Sequence, residues 1–151
     1  MFQTCRMVKK PDQIDRGLLE GLVGYHLRRA QIAIFRDFAE SVGTLDLTPG
    51  QFGVLELIAR NAGLNQSALA RALGVDRSTL VAVLDRLQAD GLIERRPSAT
   101  DRRSHELVLT EGGESRVEAA RKAIRAHEAR MLSGLPDDEV EALIRALKTI
   151  A

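Results

Sequence analysis

A mainly α-helical fold with one small β-hairpin is what this sequence predicts, and three observations predict it. Apolar residues recur at helical spacing over most of the chain. Strand-like character is confined to two short runs, one opening at Leu92 and Ile93 and one alternating over 106–109. Between them lies a polar, turn-prone loop around Ser98, Ala99 and Thr100. Helix boundaries are also written locally: Thr48-Pro49, Asp76 and Thr110-Glu111 open helices, and Gly63, Gly74 and Gly91 stop them.

Length and composition bound the possibilities. A chain of 151 residues with 44% hydrophobic and 28% charged content fits one globular domain with its own core. No apolar run approaches the roughly 20 residues that span a bilayer, and the N-terminus lacks the apolar core and cleavage site of a secretory signal. The expectation is a cytoplasmic protein without a membrane partner. Cys5 is the only cysteine, so no internal disulfide forms. It precedes the first predicted helix, and a start at Met7 instead of Met1 would remove it. A redox role for Cys5 and an incidental tail cysteine both stay open.

Taken in order, residues 1–13 read as a flexible tail, with Lys9, Lys10 and Pro11 opposing an early helix. From residue 18 to about 42, Val23, Leu27, Ala30, Ile34 and Phe38 line one helical face, and Ile32, Phe35 and Ala39 widen it. A stripe that wide suits a helix buried on two sides. The helix after Thr48-Pro49 carries Phe52, Leu55 and Ile58. Asn65 or Ser67 caps the next short helix, and Asp76 the one after, which runs to about Asp90. The hairpin follows. Thr110-Glu111 then begins a long helix with Val117, Ala120, Ile124 and Met131 at near-helical spacing, despite two glycines in its first turn. Pro136-Asp137 breaks and recaps the chain for a last helix faced by Val140, Leu143, Ile144, Leu147 and Ile150.

This predicts a single domain over 14–151. Its central lobe covers about 46–110, flanked by helices over about 14–42 and 111–151. The flanking helices carry more apolar surface than a small lobe covers, which predicts dimerisation through them. An intramolecular bundle is the alternative.

Within the lobe, Ala70 is small enough for a second helix to cross the first. Four positions on, Gly74 supplies the left-handed conformation of a tight turn. Leu69, Leu73, Val75, Leu80, Val83, Leu84 and Leu87 then form the facing apolar sides, leaving Ser78, Val81, Ala82 and Asp85 outward and Arg77 and Thr79 at the first turn. Helix, turn, helix and hairpin make a winged helix-turn-helix, whose second helix enters a DNA major groove. The small residues at Ser78, Val81 and Ala82 let that helix approach base edges, and Arg77 reaches guanine or phosphate. Gln66 and Ser67, at the preceding helix N-terminus, are candidate phosphate contacts.

Net charge is only +1, so charge placement carries more than the sum. Arg95, Arg96, Arg102 and Arg103 cluster around Pro97, a run that by itself reads as a solvated hairpin. With the helix-turn-helix beside it, Arg103 becomes the candidate for the minor groove and Arg102 for adjacent phosphate. Asp101 would be a liability there unless it pairs with one of its arginine neighbours and fixes the loop's shape. Arg95 and Arg96 serve the backbone or solvate the strand.

The stretch LNQSALARALGVDRSTLVAVLDRLQADGLIERR, followed by Asp101-Arg102-Arg103 and Leu107-Val108-Leu109-Thr110, resembles the MarR family of bacterial transcriptional regulators. The resemblance runs from Leu18 to Ile150, and TPGQFGVLELI is similar to the helix preceding the turn. It implies a homodimer built on the first and last helices, bound to double-stranded DNA at pseudo-palindromic sites. It implies a repressor released by a small effector bound between the lobes. On that pattern Arg103 is the minor-groove arginine and Asp101 its partner, while Ser78 and Arg77 carry over loosely. The segment YHLRRAQIAIFRDF looks similar to members that respond to aromatic acids or their coenzyme A thioesters, which makes Tyr25, His26, Arg28, Arg29 and Arg36 the candidate effector contacts.

Other chemistries find little in the residues. There is no glycine-rich phosphate loop, no nucleophile elbow, and no histidine–carboxylate constellation that spacing suggests. The expectation is no enzyme and no cofactor. His26, His105 and His127 show no metal-ligand spacing, so no zinc site is expected. Glu111 and Glu114 read as charges favouring a helix N-terminus. A winged helix used only for protein contacts is the rival reading.

Overall fold

A computed structural model of the chain describes residues 14–98 and 105–150. Six α-helices and one hairpin follow in the order α1 (Val23–Val42), α2 (Pro49–Arg60), α3 (Gln66–Leu73), α4 (Arg77–Ala89), β1 (Ile93–Pro97), β2 (His105–Leu109), α5 (Glu111–Met131) and α6 (Asp137–Ile150). They fall into two compact units, divided within α1 between Ile34 and Phe35.

The first unit opens with a short 3-10 turn, Gly17–Gly21, where the sequence predicts one continuous helix from residue 18. Leu22 is extended (φ −94°, ψ 118°) and separates the turn from α1. Three glycines within eight residues, at 17, 21 and 24, explain the break, since each loses more backbone freedom in a helix than any other residue. Gly17 takes φ 51°, outside the helical region altogether.

The second unit holds the core. Leu55, Leu69, Leu84, Leu87 and Ala120 are fully buried, and Val54, Leu80, Ile93, Leu107 and Val117 nearly so. They come from α2 to α5 and both strands, so the helix spacing read from the sequence is the spacing of the packed faces. Phe38 and Val42 bury the C-terminal end of α1. Val75 departs from expectation: it is exposed, because it lies in the turn between Gly74 and the Asp76 cap and belongs to neither helix face.

The strands pair antiparallel with Ile93 opposite Leu109 and Arg95 opposite Leu107. β2 is also held on its outer side, where Leu107 N–H donates to Leu64 O at 2.8 Å and Asn65 bridges Glu106. Thr110 joins the hairpin to α5. Its hydroxyl accepts from Gly113 N–H at 3.0 Å and donates to Gly91 O at 2.6 Å. The glycines expected only to weaken this turn include one that is required: a Cβ on Gly113 would lie 2.0 Å from Leu92 O. The backbones of α5 and the α4–β1 turn are that close.

Helix α6 contributes no buried residue. Leu143, Ile144, Leu147 and Ile150 are all exposed, Ile150 to 66%.

Candidate nucleic-acid interface

Three local devices build the two crossing helices. Asn65 caps α3, its side chain accepting from Ala68 N–H at 2.9 Å; Ser67, the other candidate, lies inside the helix. Gly74 ends α3 with φ 63° and ψ 29°, and the Val75 N–H reaches back to Ala70 O at 3.2 Å. That left-handed residue turns the chain within two positions, so that Asp76 begins α4.

Asp76 does more than cap. Its carboxylate accepts from Thr79 N–H at 2.8 Å, from the Thr79 hydroxyl at 2.6 Å and from the Ser78 hydroxyl at 2.5 Å. The Ser78 hydrogen bond first, then those of Thr79, hold its carboxyl well below the usual carboxylate range. An ionised carboxylate only accepts, so both hydroxyl protons point at Asp76. The outer lone pairs of Ser78 and Thr79 are what α4 offers outward.

Along α4, Leu80, Leu84 and Leu87 face the core while Ser78, Ala82 and Asp85 form an exposed stripe at spacings of four and three. Arg77 and Thr79 are exposed at the first turn, and Arg77 has no ion pair with any described residue. Val81 is half-buried instead of fully outward, since the inward face of α4 wraps round to it. At the start of α3, Ser67 is exposed and Gln66 half-buried. Asp101, Arg102 and Arg103 lie outside the described residues.

The hairpin arginines are not simply solvated. Arg95 donates from one guanidinium nitrogen to Asp85 at 2.6 Å and from the other to Gln88 at 2.7 Å. Arg96 pairs with Glu94 on the other side of the strand at 2.8 Å. The sequence treated the two as equivalent. Alternation along β1 separates them, and only Arg95 turns toward α4.

The candidate effector residues lie on α1. Tyr25, His26, Arg28 and Arg29 belong to the first unit, where the Arg29 guanidinium sits 5.6 Å from the Tyr25 ring centre and His26 meets Tyr25 edge-on at 5.3 Å. His26 also bonds Glu20 O through Nε2 at 2.9 Å, and Arg28 donates to Gln31 at 3.3 Å. Arg36 is exposed in the second unit. A separate groove of about 680 Å³ in that unit is lined by Arg60, Arg96, Arg121, Glu114, Glu118 and Leu107. Each of its arginines already meets a carboxylate, Arg60 and Arg121 on Glu56 and Arg96 on Glu94, so it is no ready anion site.

One histidine–carboxylate constellation does exist, invisible to spacing. His127, 1% exposed, places Nδ1 2.5 Å from Asp37 Oδ2 across 90 positions of sequence. Arg130 also grips Asp37, at 2.5 and 3.2 Å, and Ser41 donates to it at 3.2 Å. The Arg130 hydrogen bond first, then His127, hold the Asp37 carboxyl well below its ordinary range. His127 falls between Ile124 and Met131 in the stripe of α5, and a histidine at a core position was the available signal. The cluster satisfies its own charges. Among the described residues no group of histidine, cysteine or carboxylate side chains is placed to hold a metal, and no helix is long and apolar enough to cross a membrane.

A crossed helix pair, a small-residue stripe on the second helix and a hairpin fastened beside it define a winged helix-turn-helix DNA-binding protein. Comparison with known proteins gives the particular family. Residues 45–104 match the MarR family. A putative transcriptional regulatory protein for the hcr operon of Thauera aromatica is 42% identical over 139 residues, which span 91% of this chain and 84% of that relative. The transcriptional repressor CouR, bound to a 23-mer DNA duplex, superposes with a TM-score of 0.86 at 42% identity, covering 91% of this chain and 98% of CouR. CouR bound to p-coumaroyl-CoA gives 0.83 at 40% identity, covering 91% and 97%. The chain belongs to the MarR family, and it is a DNA-binding transcriptional regulator.

Proposed function

We propose that the protein is a homodimeric repressor that binds a pseudo-palindromic operator and releases it when an aromatic acyl-CoA binds. The observation that carries this reading is the pair of CouR likenesses, one with a DNA duplex and one with p-coumaroyl-CoA, each at 40% identity or more. The exposed apolar faces support the dimer. Leu143, Ile144, Leu147 and Ile150 on α6 are an unusual amount of open hydrocarbon for one short helix.

In this reading α4 enters the major groove. Ser78 and Thr79 present acceptors, which suit the amino groups of adenine N6 and cytosine N4, and Ala82 lets the helix come close. Gln66, Ser67 and Arg77 meet phosphate or guanine. Val81 contributes at most its outer methyl to a thymine. Arg102 and Arg103 work from the wing, with Asp101 shaping it. Tyr25 and His26 supply aromatic surface for the acyl group. Arg28 and Arg29 supply the charge that the phosphates of coenzyme A require.

The test is a titration with a duplex from the region upstream of the protein's own gene. Affinity should fall steeply as salt rises, because each phosphate contact releases counterions, and p-coumaroyl-CoA should release the duplex. Arg103→Ala should weaken binding to all sequences, whereas Ser78→Ala or Arg77→Ala should change which sequence is preferred. Equal binding to the upstream and a random duplex at moderate salt would overturn the operator reading. A complex indifferent to p-coumaroyl-CoA would overturn the effector reading.

A further inference from the structure

We infer that Arg95 is a positioning residue: by spanning Asp85 and Gln88 it locks the wing to the recognition helix and fixes the register between the two DNA-reading elements. The inference rests on the DNA-binding role of α4 and the wing.

Asp85 lies on the exposed stripe of α4, one turn beyond Ala82, with its side chain 60% exposed. A free carboxylate there would face phosphate and repel it. It is not free, because Arg95 holds it at 2.6 Å, and that guanidinium is only 27% exposed. The second donor goes to Gln88 at 2.7 Å. Asp85 and Gln88 are three positions apart, neighbours on one side of a helix. A planar fork spans two such acceptors at once, and an ammonium group does not.

On β1 the apolar anchor ends at Ile93, the last residue of that strand in the core; on β2 it reaches Leu107, buried opposite Arg95. At that level β2 is also gripped from outside by the Leu107–Leu64 hydrogen bond and the Asn65–Glu106 bridge. Opposite Leu107 stands Arg95, which grips β1 from the α4 side. The strands are clamped from both flanks at one level, immediately before the wing loop. Removing Arg95 unfastens β1 from α4 at this level, while Leu107 and the base of the hairpin stay packed.

Two measurements test this. Hydrogen exchange of the protein without DNA should show the β1 and β2 amides exchanging about five- to ten-fold faster in Arg95→Ala, with the buried amides of α4 unchanged. Unchanged hairpin exchange overturns the lock whether or not the protein binds DNA. In titrations with the upstream duplex, Arg95→Ala and Asp85→Ala should each weaken binding about five- to ten-fold, and the double variant should be no worse than either. Arg95→Lys should behave like Arg95→Ala, and the slope of affinity against salt should not change in any of them. The inference fails if Arg95→Lys retains binding and Arg95→Ala lowers the salt slope by about one, the signature of a direct phosphate contact. It fails also if Asp85→Ala tightens binding. Failure of the wild type to bind any duplex would instead sink the DNA reading, leaving the exchange result to decide the lock.

Discussion

The winged-helix lobe and the last helix treat their hydrophobic residues in opposite ways. From α2 to the N-terminal half of α5, the large aliphatic side chains on the inward faces are buried against one another, several completely. On α6 the same residue types at the same helical spacing include none that is buried. Amphipathic pattern alone therefore does not distinguish a helix that completes its own core from one that waits for a partner. What distinguishes them is whether the surrounding chain supplies a complementary surface. The lobe closes on itself through the hairpin, while α6 presents a face that a second copy of the chain would complete.

The comparison can be broken most directly at Gly113. A methyl group there meets the Leu92 carbonyl at 2.0 Å, and backbone on both sides leaves no side chain to move away. Gly113→Ala is expected to cost about 4 kcal/mol or more in chemical denaturation, among the severest single changes in the lobe. Next comes the core against the open helix. Leu55→Ala should cost about 3 kcal/mol and leave the dimer intact. Ile144→Ser should leave the lobe fold unchanged by circular dichroism and shift light scattering toward monomer on dilution. Deleting residues 140–151 should abolish dimer and DNA binding together; a DNA-binding monomer would show that α6 is not the interface.

Smaller effects test the polar fastenings. The Asp37 carboxyl is held below its ordinary range in the folded protein. Its contribution is therefore complete above about pH 4, the unfolded value, and is lost as pH falls further toward the folded one. Asp37→Asn should flatten the fall in stability below about pH 4 and lower stability at neutral pH, where Arg130 and His127 lose their partner. Smallest of all, Asn65→Ala removes one cap and should cost about 1 kcal/mol, with little change in DNA affinity.

These fastenings also mark how far the sequence could be read. Thr48, Asp76 and Thr110 were legible as caps, and Asn65 as one of two choices, because a cap bonds a backbone amide two or three residues away. Gly74 was legible because a tight turn demands its conformation within the same short segment. Arg95 could be seen as a cation on a strand, but its partners lie on another element. Gly113 looked like a weakness in a helix start, since nothing nearby in sequence announces the carbonyl it must clear. His127 looked like an isolated histidine because Asp37 is 90 positions away.

By itself, the sequence determined the helices from α2 to α6, the tight turn, the hairpin, and Ser78 and Ala82 as outward residues of α4. All of these follow from hydrophobic period and from hydrogen bonds that close within one helical turn. Tertiary structure alone decided which of two adjacent arginines turns to α4, which glycine is indispensable, and that a buried histidine shares a carboxylate with Arg130. Those outcomes depend on distances between elements far apart in the chain, and such distances exist only once the core has packed.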